Sequence, residues 1–187
     1  MPPVYYPFFN SIKETGRQLV ECPLLKEDEH YKMDIELFEN KILTENVKVF
    51  ILCSPHNPVG RVWTKKELQA VLDICKKYGV YVIADEIHQD IIMSGYEKVT
   101  AATCGNYDEY LITLTSASKS FNIAGFQCAY AIIPNDKMRE DYDRLAKKLH
   151  FTEGNSFSYI ATQAVYEHGR PWLESVCNIV ESNYYYL

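Results

Sequence analysis

Three short runs constrain this chain most: "VKVFILC" (47–53), "VYVIADE" (80–86) and "YLITLT" (110–115). Each is apolar and largely β-branched without polar alternation, the pattern of a strand buried on both faces. Between the first two lies "TKKELQAVLDICKKYG" (64–79), which reads as a helix. Thr64 and Glu67 make a capping box, Leu68, Val71, Leu72 and Cys75 recur at helical spacing, and Gly79 supplies the stop. Continuously apolar strands separated by helices predict an α/β fold, a mostly parallel sheet with helices on both faces. "RQLVECPL" (17–24) and "GFQCAYAIIP" (125–134) read as further strands, the second ended by Pro134. "MDIELFENKIL" (33–43) reads as a helix capped by Asp34. Three more helical patterns occupy "NDKMREDYDRLAKKLH", "SFSYIATQAVYEHG" and "PWLESVCNIVESNYYYL". The chain opens on a loop, "PPVYYPFF", and its last helix stops at Leu187 without a cap, so a fragment of a larger fold is expected.

Composition narrows the function classes. The net charge is −6 and the basic residues are scattered, which argues against nucleic acid as a partner. No apolar run approaches the roughly 20 residues of a membrane helix, and "MPPVYYPFFNSIKETG" has no signal-peptide pattern. The six cysteines, at 22, 53, 75, 104, 128 and 177, form neither a CxxC pair nor a zinc-finger spacing. Several sit inside apolar runs, so they are read as reduced core residues of a cytoplasmic protein.

Ligands of open α/β sheets bind beyond the carboxyl ends of the strands. After the first run comes "SPHNPVG" with Asn57, after the second "DEIHQD" with Asp85 and His88, and after the third "SASKS" with Ser116, Ser118 and Lys119. Each has a plain reading: a turn at Asn57-Pro58, a cap at Asp85, a core histidine, turn serines, a solvated lysine. Glu86, His88 and Asp90 alternate like half a metal site, but no second cluster completes it and no metal is expected. Taken together the set matches one ligand. Hydroxyls suit a phosphate, a carboxylate suits a pyridinium nitrogen, a lysine amine suits an aldehyde, and an amide suits a phenolate oxygen. Pyridoxal 5′-phosphate carries all four groups.

"SPHNPVGRVWTKKEL", "VIADEIHQDI" and "SASKSFNIAGFQCAYAIIPN", with 28 residues from Asn57 to Asp85 and 34 more to Lys119, resemble the fold-type I pyridoxal-phosphate enzymes of the class I/II aminotransferase superfamily. The resemblance implies a partial three-layer α/β/α large domain over residues 1–170, with 171–187 starting a helix toward a small domain that is missing. It makes Lys119 the catalytic Schiff-base lysine and Asp85 the partner of the ring nitrogen. Asn57 would donate to the ring oxygen, Ser116 and Ser118 to the phosphate, and Tyr5, in "PVYYPF", would stack on the ring. His88 joins this cofactor-binding set where aminotransferases usually carry tyrosine, and Gln127 stands where they carry arginine. The pattern DEIHxD with that glutamine resembles the cystathionine β-lyase branch of MalY/PatB type. The activity implied is C–S β-elimination from an amino acid by a cytoplasmic homodimer. Transamination is the alternative activity, and an inactive truncated chain the alternative state.

Overall fold

The computed structural model describes residues 1–151 and 154–187. Its centre is a four-stranded sheet in the order β3 (Val49–Cys53), β4 (Tyr81–Asp85), β5 (Leu111–Thr115), β6 (Tyr130–Ile132). The first three strands run parallel, as their apolar runs predict, and β6 returns antiparallel beside β5. A separate hairpin pairs β1 (Leu25–Glu27) with β2 (His30–Lys32).

Helix α3 (Lys65–Tyr78) follows the local signals closely. The Thr64 hydroxyl accepts from the Glu67 amide, the Glu67 carboxylate accepts from the Thr64 amide at 2.8 Å, and Gly79 closes the helix at φ 65°. Its apolar stripe of Leu68, Val71, Leu72 and Cys75 is buried, 0–1% exposed. With α2 (Ile35–Thr44), capped by Asp34 through the Leu37 amide, it covers one face of the sheet. Phe50, Leu52, Val82, Ala84 and Leu111 point into that core. Ile51, Ile83, Ile112 and Leu114, on the opposite face, are only half-buried. The expected layer on both faces is therefore full on one and partial on the other. Beyond β6 come α5 (Asp136–Lys148), α6 (Ser156–His168) and α7 (Arg170–Tyr186), where α6 packs against α7 and against the short α4 (Ala117–Ser120). Apolar side chains on these last helices, among them Leu145, Phe157, Ile160 and Ile179, stay exposed.

Three expectations change. Residues 17–24 form no strand: the segment has no sheet partner, although Cys22 and Leu24 are buried and the Leu24 amide bonds to the Pro2 carbonyl at 2.8 Å. The strand expected over 125–134 shrinks to Tyr130–Ile132. Ala124–Phe126 coil into a 3₁₀ turn, and Gln127, at φ 51°, turns the chain back to run antiparallel. Finally, the N-terminal aromatic stretch contains a helix, α1 (Pro7–Glu14), begun by a proline at its first position, where the missing N–H is no loss.

Candidate active site

Parallel register places the carboxyl ends of three strands side by side. Cys53 pairs with Asp85, and Asp85 with Leu114. Asn57, Asp85, His88, Ser116, Ser118 and Lys119 follow or end these strands and so share one rim. Asp85 is half-buried and its Oδ1 accepts from the Ile87 amide at 3.1 Å. Burial pushes its carboxyl above the usual range, and the Ile87 N–H, His88 and Lys119 act against that rise. His88 is pushed the other way, chiefly by burial and then by the Lys119 cation, with Asp85 opposing. Carboxylate, imidazole and amine thus lie within electrostatic reach of one another, and Lys119 keeps an exposed side chain.

The turns that present them are tightly specified. Asn57 lies in a loop closed by His56 N–H to the Arg61 carbonyl and Gly60 N–H to the His56 carbonyl, both 2.8 Å. The Asn57–Pro58 peptide is cis, and the Asn57 amide donates to Cys53 Sγ at 3.4 Å. Gly60 sits at φ 72°, a left-handed conformation that strains any residue with a Cβ. Arg61 anchors the far side: its guanidinium lies 4.7 Å above the Trp63 ring, donates to the Tyr31 carbonyl and pairs with Glu67 Oε1 at 2.7 Å. Ser116 is buried, and its hydroxyl is engaged twice. It accepts from the Ser118 amide at 3.0 Å, capping α4, and donates to the Cys128 carbonyl at 2.5 Å. Ser118 is half-buried on the same turn.

Tyr5 comes from outside the three strand ends, on the segment just before α1. It is 44% exposed, and its ring meets Phe8 edge-on at 5.5 Å. Its segment is nevertheless tethered nearby by a residue that sequence reasoning missed. His56 is buried, and its Nε2 lies 3.0 Å from the Pro3 carbonyl. A carbonyl only accepts, so Nε2 carries the proton and Nδ1, buried and without a partner among the described residues, does not. Nothing in the local string "SPHNP" distinguishes this imidazole from a loop histidine, because its partner is far away in sequence.

Within the alternation of Glu86, His88 and Asp90, the two carboxylates have separate duties. Glu86 is 1% exposed and accepts the Ala101 amide at 2.7 Å, while Asp90 accepts from Ser120 and Lys98. Among the described residues, no group of three or more such side chains could hold a metal ion. The same residues include six free cysteines, four of them buried.

Residues 1–174 match the family model described as aminotransferase class I and II. The chain belongs to that family. Among family members it is 36% identical over 183 residues to cystathionine beta-lyase PatB of Bacillus subtilis, covering 97% of this chain and 47% of that one. It is 33% identical over 186 residues to protein MalY of Escherichia coli, covering 99% and 47%. The structure of the PLP-bound C-S lyase from Staphylococcus hominis superposes with a TM-score of 0.93 at 36% identity, covering 99% of this chain and 46% of that one. The fold is thus that of the pyridoxal-phosphate-dependent aminotransferase family, and the chain spans about half the length of the relatives it matches.

Proposed function

We propose that this chain is part of a pyridoxal-phosphate-dependent C–S β-lyase, which cleaves the Cβ–S bond of a cystathionine-like amino acid to give, with water, a thiol, pyruvate and ammonia. The observation that carries the reading is the juxtaposition of Asp85, His88 and Lys119 on adjacent parallel strand ends. The reaction is that named for the similar PatB and Staphylococcus hominis enzymes.

The donor set fits the cofactor. Asp85 is a carboxylate whose ionised form burial disfavours, and the charge of a protonated ring nitrogen would restore it. Pyridoxal phosphate, when bound, supplies an electron sink for the Cα–H bond. Lys119 holds the cofactor and moves the Cα proton. Asp85 keeps the ring nitrogen protonated, and Asn57 donates to the ring oxygen. Ser118 serves the phosphate, while Ser116, whose one hydroxyl proton goes to the Cys128 carbonyl instead of the phosphate expected from sequence, fixes the turn that bears Lys119. His88 would join the cofactor-binding set beside Asp85, and Tyr5 would offer an aromatic face from the tethered N-terminal segment. Residues 1–170 then belong to the large domain, with 171–187 leading toward a small one, although α7 itself runs unbroken from Arg170 to Tyr186. The whole protein is read as a cytoplasmic homodimer acting on an amino acid.

The test is spectroscopic. Purified chain is mixed with pyridoxal phosphate, and the visible band of the lysine-bound cofactor is sought in wild type and in Lys119→Ala. A band lost in the variant supports the site, and a band that survives Lys119→Ala removes it. Thiol release from cystathionine supports the lyase, whereas faster turnover of an amino acid with a 2-oxo acid would replace it by transamination.

A further inference from the structure

Helix α4 is four residues long, so its own backbone hydrogen bonds do not suffice to hold its shape. The question is what fixes Lys119 relative to Asp85. At the N-terminal end the Ser116 hydroxyl ties the turn to the Cys128 carbonyl. At the C-terminal end Ser120 is fully buried, 0% exposed, and its hydroxyl donates to Asp90 Oδ2 at 2.9 Å. The other Asp90 oxygen accepts from Lys98 at 2.7 Å, and the Asp90 carbonyl receives the Cys177 thiol of α7 at 3.8 Å. Asp90 lies with His88 on the segment that follows Asp85, the last residue of β4, and Ser120 adjoins Lys119. One carboxylate therefore links the two strand-end segments whose separation any shared ligand must match. Ser120 is shut off from bulk solvent, so removing the acceptor would leave a buried hydroxyl without its partner.

Resting on the reading of Lys119 as the cofactor lysine, we propose that Asp90 is a positioning residue: through Ser120 it holds the Lys119 turn in register with Asp85. Lys98 balances its charge but does not touch the turn. The link needs an acceptor at position 90 more than it needs a charge.

Two measurements test this. The first is amide hydrogen exchange without cofactor, read at Phe121 and Ile123, whose N–H groups bond to the carbonyls of Ala117 and Ser118 at 3.0 Å. Ser120→Ala and Asp90→Ala are expected to speed exchange there by about tenfold or more. Asp90→Asn, which keeps an accepting oxygen, is expected to stay near wild type, and amides inside α3 are expected not to change. Unchanged exchange at Phe121 and Ile123 overturns the proposal. So does equal acceleration in α3, which would make Asp90 a residue of general stability. The second measurement is titration with pyridoxal phosphate, followed by the visible band. The two alanine variants should each weaken binding about tenfold or more, with no further loss in the double variant, and Asp90→Asn should restore most of it. Additive losses, or no rescue by asparagine, overturn the link. If wild type itself gives no Lys119-dependent band, the cofactor reading falls, while the exchange result still decides whether Asp90 holds the turn.

Discussion

Replacing Glu86 by glutamine should change how stability depends on pH, and its size follows from the site. Glu86 is 1% exposed, one carboxylate oxygen accepts the Ala101 amide, and the other has no partner among the described residues. Burial pushes its carboxyl from the usual 4.5 up to about 7, against the opposing pull of the Ala101 N–H and Lys98. Between those values the folded protein keeps a proton that the unfolded chain releases, so folding weakens as pH rises. The total loss by pH 7 is about 3 kcal/mol. His56 does the reverse: burial lowers it from 6.5 to about 4. Over that range the unfolded chain holds the extra proton, so stability falls as pH drops, again by about 3 kcal/mol. In wild type these two slopes oppose each other between pH 4.5 and 6.5. Glu86→Gln removes one of them and exposes the other. Urea denaturation at fixed ionic strength, every half unit from pH 4.5 to 7.5, should show the variant gaining on wild type by about 3 kcal/mol across the series. Parallel stability curves would refute the reasoning, because they would mean that Glu86 titrates alike in the folded and unfolded chain.

Other outcomes follow from single contacts. Asp85→Asn should weaken pyridoxal-phosphate binding by about tenfold or more, the loss of a charged hydrogen-bond partner, read from the visible band with Lys119 intact; unchanged affinity would remove Asp85 from the site. Thr64→Ala should lower stability by about 1 kcal/mol through loss of the α3 cap, seen as a shift in denaturation midpoint. Leu72→Ala, at 1% exposure inside the α3 core, should lower it by about 2–5 kcal/mol. Alkylation at pH 8 followed by mass spectrometry should label the half-exposed Cys128 and Cys177 first. Burial raises Cys53 to about 11 and Cys75 to about 12, and both should react only on unfolding.

Much of this architecture is written locally. The α3 boundaries follow from Thr64, Glu67 and Gly79, each acting within one helical turn, and the three parallel strands follow from unbroken apolar runs. Because parallel strands align their carboxyl ends, Asn57, Asp85 and Lys119 could be grouped before any coordinates. What escaped depends on distant partners. Residues 17–24 have strand-like composition but no neighbouring strand, so the backbone there bonds elsewhere. His56 meets Pro3 across 53 positions, and Asp90 meets Ser120 across 30. Neither contact leaves a periodic or spacing signal. The double engagement of the Ser116 hydroxyl is hidden for the same reason, since the Cys128 carbonyl reaches it only because Gln127 turns left-handed.

Glu67 closes the cap of α3 with one oxygen and holds Arg61, on the Asn57 loop, with the other. One side chain thus answers to two parts of the molecule. A saturation scan should find position 67 far less tolerant than its half-exposed setting suggests, since aspartate, too short to span both partners, would sacrifice one. Glutamine, of the right length, would keep the reach but lose the ionic grip on the guanidinium. Replacements there should therefore differ in kind, glutamine keeping the cap while loosening Arg61 and alanine losing both.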